Sequence, residues 1–172
     1  MTLTGDLTIN DEESVTFDSS AFDLVIQGDI ATTDATSITL TGDNLITLGA
    51  NGSKEFSSVK IATIDASGVT GTEAVNVFAI NNTSAMTVTG PASTGTFTFD
   101  GGTKADTITA GGGIMDVDAG DGDDVITGGS KADIIDGDGG ARKIVFNPGN
   151  DLRNNGYRYG RYRVVYNVFK EM

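Results

Sequence analysis

The segment AGDGDDVITGGSKADIIDGDGG, residues 119–140, carries the pattern on which the architecture of the chain rests. Seven of its 22 residues are Gly and six are Asp, a mixture that works against regular structure through backbone entropy and like-charge repulsion. Apolar pairs recur in it all the same, Val125-Ile126 and Ile134-Ile135, nine residues apart. Framed at that period the segment reads AGDGDDVIT (119–127) and GGSKADIID (128–136). The same frame extends without a gap to GGTKADTIT (101–109), AGGGIMDVD (110–118) and GDGGARKIV (137–145).

The eighth positions of these five windows are Ile108, Val117, Ile126, Ile135 and Ile144, all apolar. The sixth are Asp106, Met115, Asp124, Asp133 and Arg142, and the second is Gly in every window but the last, where it is Asp138. The pattern resembles the nonapeptide G-G-x-G-x-D-x-U-x of RTX proteins, a Ca²⁺-binding parallel β-roll, over roughly 45 of the 172 residues. The resemblance implies that the first six residues of each window turn around Ca²⁺, with carbonyls and the Asp side chain as ligands, and that the last three form a strand whose eighth residue enters the core.

Gly supplies the curved backbone that brings carbonyls together. Ca²⁺ accepts six to eight hard oxygens in irregular geometry and neutralises the Asp cluster, so metal binding and folding become one linked event. Turns of a β-roll alternate between two edges, which implies that windows one, three and five share one edge and windows two and four the other. Asp106 and Asp124 then form the best candidate site, with Asp121 and Asp123 adding negative charge. Asp133 is left opposite Met115, and Arg142, at an Asp position, is placed to pair with Asp124 or Asp138 and end the metal series. Lys104 and Lys131 stand where the family has Gly, and the expectation is one to three bound Ca²⁺ ions.

Upstream, residues 1–100 carry short apolar groups: Leu3, Leu7 and Ile9; Leu24 and Ile26; Ile38 and Leu40; Ile46 and Leu48; Val59, Ile61 and Ile64; Val75, Val77 and Phe78; Met86 and Val88; Phe97 and Phe99. These read as strands of three to six residues separated by turn signals such as TGD (41–43) and ASGVTG (66–71). The spacing suits a wider parallel solenoid or a sandwich, and the register running from Phe99 into Ile108 favours the solenoid. The expected fold is therefore all-β: an irregular β-solenoid over 1–100 continuing into a β-roll over 101–145. The Thr-rich strands, with TIDASGVTG (63–71), are similar to those of bacterial surface-layer proteins and large RTX adhesins. The sequon at Asn82 is read as a turn.

Residues 146–172 are a different module, a basic, Tyr-rich tail. The body, 1–141, holds 22 acidic and 4 basic groups, whereas 142–172 holds 2 acidic and 7 basic. The run YRYGRYRVVYNVF predicts a hairpin or an edge strand. It serves either as a cap over the last coil or as a docking segment built from Arg153, Tyr157, Arg158, Tyr159, Arg161, Tyr162, Arg163 and Tyr166. The tail is similar to the strand-forming ends of tailed-phage virion proteins.

The net charge of −13 disfavours nucleic acid and anionic membranes as partners and attracts cations. With no Cys and no His, disulfides, thiolate chemistry, the usual zinc sites and His-based catalysis are excluded. The first residues lack the basic and apolar regions of a cleavable signal, and no apolar run reaches membrane-spanning length. No nucleophile elbow or zincin motif occurs. The expectation is a non-enzymatic, Ca²⁺-binding structural protein of an extracellular or cell-surface assembly, a surface layer or an adhesin, that self-associates or joins a larger structure. The alternatives are a phage tail fibre or virion appendage anchored through its tail, and the accessory RTX domain of a secreted enzyme.

Overall fold

A strand with only one or two inward apolar residues cannot bury a face by itself, so a chain made of such strands must stack them. In the computed structural model, residues 1–10, 12–32, 34–49, 60–129, 131–140 and 142–146 are described, together with 162–166; of 142, 146 and 162–166 only the backbone is described. Among these residues there is no helix. The first coil contains β1 (Thr2–Leu3), β2 (Leu7–Ile9) and β3 (Ser14–Asp18), and the second repeats them as β4 (Leu24–Ile26), β5 (Ile30–Thr32) and β6 (Ser37–Gly42). Then follow β7 (Ile46–Leu48), β8 (Thr63–Val69), β9 (Val75–Phe78), β10 (Thr87–Thr89), β11 (Phe97–Asp100) and β12 (Thr107–Thr109). The last are β13 (Met115–Asp118), β14 (Val125–Thr127), β15 (Ile134–Asp136), β16 (Arg142–Phe146) and β17 (Tyr162–Tyr166).

Among the described residues every strand pairing is parallel. One sheet runs β1-β4-β7-β9-β11-β13-β15, the facing sheet β3-β6-β8-β10-β12-β14-β16-β17, and a small third wall is β2-β5. The chain is thus a stack of about six turns, the parallel β-solenoid that the periodicity predicts. The coil widens in the middle, where Ile46 pairs with Val75, 29 residues on, and is shortest at the carboxyl-terminal end. Inter-coil bonds span 23 residues at Asp6 and Asp29, 20 at Met86 and Asp106, and 18 at Asp106 and Asp124. Two nonapeptides therefore make one turn, and the alternation of windows between the two large sheets is as expected: β12, β14 and β16 on one, β13 and β15 on the other.

The core includes two facing columns, beside a third of Leu24, Ile46, Val75, Phe97 and Met115. Ile38, Ile64, Val88, Ile108 and Ile126 lie in register on one sheet, and Leu48, Val77, Phe99 and Val117 on the other. All nine are buried, each contributing roughly 1.5–3 kcal/mol of hydrophobic stabilisation. Phe97 and Phe99, two apart and so on the same side of β11, stack at 6.1 Å between ring centroids.

The apolar groups read from the sequence coincide with β1, β2, β4 and β6 to β11, while β3 and β5 are additional. Val59 lies outside the described residues. Asn82 is a buried turn residue whose Nδ2 donates to the carbonyls of Ile61 and Ser84, so its amide serves the fold and is closed to a glycan. Of the two forms expected for the tail, the edge strand is the observed one: β17 runs parallel to β16, with Val164 opposite Ile144, whereas a hairpin would pair antiparallel.

Replacing Phe99 by Ala should cost about 3–5 kcal/mol, as expected for a fully buried aromatic. Replacing the outward neighbour Thr98, half-buried on the same strand, should stay within about 0.5 kcal/mol. Chemical denaturation of the two variants measures both, and equal losses would contradict the inward and outward assignment of β11.

Candidate functional site

The sixth-position Asp residues sit at the corner where a Gly-rich turn becomes a strand. Each carboxylate reaches back one coil. Asp106 Oδ1 accepts from the Met86 N–H at 2.7 Å, Asp124 Oδ1 from the Asp106 N–H at 2.8 Å, and Asp133 Oδ1 from the Met115 N–H at 2.9 Å. On the edge shared by Asp106 and Asp124 the next residue completes the link, since the Thr107, Val125 and Lys143 amides donate to the carbonyls of Met86, Asp106 and Asp124. A side chain thus carries the ladder past the strand end, where a backbone carbonyl would no longer reach.

Asp106 and Asp124 are brought together as the sequence predicts, on adjacent coils of one edge, and both are buried, at 1% and 0% exposed. Burial raises the Asp106 carboxyl to about 6. The Met86 amide pulls the other way, the Asp124 charge adds to the rise, and the Gly102 amide opposes it. The second oxygen, Asp106 Oδ2, is buried without a hydrogen bond of good geometry, Gly102 supplying only a weaker attraction. A buried carboxylate left half-satisfied is costly unless a proton or a cation joins it.

The surrounding backbone is rich in oxygen. The turn 119–124 stacks on the turn 101–106 so closely that a Cβ on Gly120, whose φ is +78°, would collide with the Gly102 carbonyl. Asp106 could hold a hard cation only together with main-chain carbonyls of these turns, which is chemistry that Ca²⁺ accepts. Among the described residues no three acidic side chains converge as a metal cage, so carboxylates alone would not hold it. Asp133 differs from the other two: its Oδ2 accepts from Gly129 N–H at 2.8 Å, so both oxygens serve the backbone. The side chain of Arg142 lies outside the described residues.

Asp121 and Asp123 are exposed on the same edge. Asp121 lines a shallow cleft of about 230 Å³ with Asp100, Asp118 and Asp138, floored by Gly101, Gly102 and Gly120. Sequence reasoning centred on the sixth position missed this second acidic row. Its signal was present, because Asp100, Asp118 and Asp136 recur at the coil length and stand in register on β11, β13 and β15. Asp118 and Asp136 each turn back locally, accepting from the Gly120 and Asp138 amides at 3.1 Å.

Of the tail residues, Arg153, Tyr157, Arg158, Tyr159 and Arg161 lie outside the described residues, and Tyr162, Arg163 and Tyr166 fall on β17. The chain matches no family model, no curated protein and no solved structure.

A raised carboxyl pKa makes the native state the stronger proton binder. In chelator, the stability linked to Asp106 is therefore fully present below 3.8 and is lost as pH rises through about 6. Each tenfold gain in proton affinity on folding is worth roughly 1.4 kcal/mol. Asp106→Asn should flatten that fall in thermal melts taken at about pH 4 and about pH 7.5, on either side of the titration. An unchanged slope would show that the buried carboxyl does not titrate in this window.

Proposed function

We propose that this chain is a non-enzymatic structural β-solenoid of an extracellular surface assembly, a surface layer or an adhesin, and that Ca²⁺ consolidates its Gly-rich turns. The observation that carries this reading is the Asp106 carboxylate: buried, stacked one coil from Asp124, with one oxygen on the Met86 amide and the other lacking a good hydrogen bond. A divalent cation beside it offsets the burial of charge and holds the turns 101–106 and 119–124 together. Asp106 and Asp124 would supply the charged oxygens and the turn carbonyls the rest, while exposed Asp121 and Asp123 raise the local cation concentration.

The architecture supports a structural role. Stacked parallel coils make a stiff, elongated element whose contacts run from neighbour to neighbour. Among the described residues the cleft beside Asp121 is shallow and acidic. The basic tail serves association. Its strand β17 covers the edge of β16, and the Arg and Tyr residues from Arg153 to Tyr166 provide the charge and flat area by which a neighbouring acidic body is held.

Calorimetry of the whole chain with and without chelator tests the metal. At about 100 times the dissociation constant, one site should add roughly 2.7 kcal/mol, and Asp124→Asn should reduce this gain more than Asp133→Asn, whose carboxylate is already saturated by two amides. Identical transitions in Ca²⁺ and in chelator would refute the cation reading.

The tail is tested by removing residues 147–172 and following light scattering at low and high salt. The full chain should associate in a salt-sensitive manner and the shortened chain should not. If the shortened chain keeps the full-length oligomeric state and only melts earlier, the tail is a cap alone.

A further inference from the structure

The outer face of the eight-stranded sheet carries a regular grid. On either side of the buried column Ile38, Ile64, Val88, Ile108 and Ile126, the strands point one residue outward before and one after. The first row is Ser14, Ser37, Thr63, Thr87, Thr107 and Val125, each in register with the next. The second is Thr16, Thr39, Asp65, Thr89, Thr109 and Thr127. Of these twelve positions eight are Thr and two are Ser, in a chain whose net charge is −13. All twelve are exposed or half-buried, and among the described residues no hydrogen bond within the protein engages the hydroxyls of Thr87, Thr107, Thr109 or Thr127.

We propose that this face binds ice, the Thr grid acting as a template for an ordered water lattice. Neighbouring strands lie about 4.8 Å apart, and residues two apart on a strand about 6.6 Å apart. The two rows therefore present a near-rectangular array of hydroxyls and methyls whose repeat across the strands lies near the shorter oxygen repeat of hexagonal ice, the longer repeat being met by side-chain torsion. A Thr hydroxyl donates to and accepts from water, while its methyl holds first-shell water in a restricted, cage-like arrangement. Each alone is weak, but the strand register repeats the match from coil to coil.

Three further features select this ligand. Among these twelve positions Asp65 alone is charged, with the exposed Lys143 following Val125 on β16, so the stretch from Thr87 to Thr127 suits a neutral lattice. No aromatic residue stands in either row, which removes the stacking platform that a crystalline polysaccharide would use. The face is also pinned, because the one shift of register between β6 and β8 falls after Thr39, beyond both rows.

The test uses the purified full chain in Ca²⁺-containing buffer. Ice crystals grown in it should be faceted and show thermal hysteresis, and the protein should be enriched in slowly frozen ice over the remaining liquid. Thr89→Tyr and, independently, Thr109→Lys should lose both effects while keeping the wild-type circular dichroism. Thr98→Tyr, outward on the opposite sheet, should keep them. Wild-type protein that is excluded from ice like an ordinary solute overturns the proposal, as do grid variants that behave like wild type or binding that appears on crystalline cellulose or chitin and not on ice. None of these results depends on whether Ca²⁺ raises the melting point, so the two readings fail separately.

Discussion

The parallel hydrogen-bonded contact between one coil and the next holds the stack together. Parallel ladders give evenly spaced bonds but weak pairing per residue, and strands of three residues, such as β12 and β14, contribute few bonds each. The contact is extended at the corners instead. Asp106, Asp124 and Asp133 take amides that the strands themselves leave behind, and Ser19 and Asn44 do the same near the amino-terminal end, each bonding the other's carbonyl from one coil to the next. Polar side chains that a hydrophobic core would exclude are the parts that close the ladder.

That arrangement explains what was legible and what was not. The step of nine, the apolar eighth position and the inward stack of Ile108, Ile126 and Ile144 followed from periodicity, because a residue that must be buried once per strand repeats visibly. Pairing of Asp106 with Asp124 followed for the same reason. By contrast β5, Ile-Ala-Thr, holds a single large apolar residue, too little for a pattern to show, and its existence rests on β2 lying beneath it. The bond from each sixth-position Asp to the preceding coil was also hidden, since nothing in a linear sequence distinguishes a carboxylate that faces a cation from one that faces an amide one coil away.

Electrostatics sets the remaining tension. Asp100, Asp118 and Asp136 stand on successive strands about 4.8 Å apart, a spacing at which like charges repel by about 1 kcal/mol in water and more where the dielectric is lower. Local amide bonds at Asp118 and Asp136 offset part of this. The pair Asp106 and Asp124 is shielded from solvent, each carboxylate accepting one amide from the preceding coil. The outer row is screened by salt, whereas burial raises the inner Asp106 carboxyl to about 6.

A period of nine also conceals the unit that matters chemically. Because successive windows fall on opposite sheets, the seventh and ninth positions, which flank the inward residue, form separate outer faces. In the first and third windows they are Thr107, Thr109, Val125 and Thr127; in the second and fourth they are Asp116, Asp118, Ile134 and Asp136. The same backbone step thus yields a Thr-rich face on one side, ending at Lys143 of the fifth window, and an acidic face on the other. The difference between the faces therefore repeats with the coil of two windows and not with the single window. A coil of two windows is the smallest element that carries both the buried Asp106–Asp124 edge and the Thr-rich face.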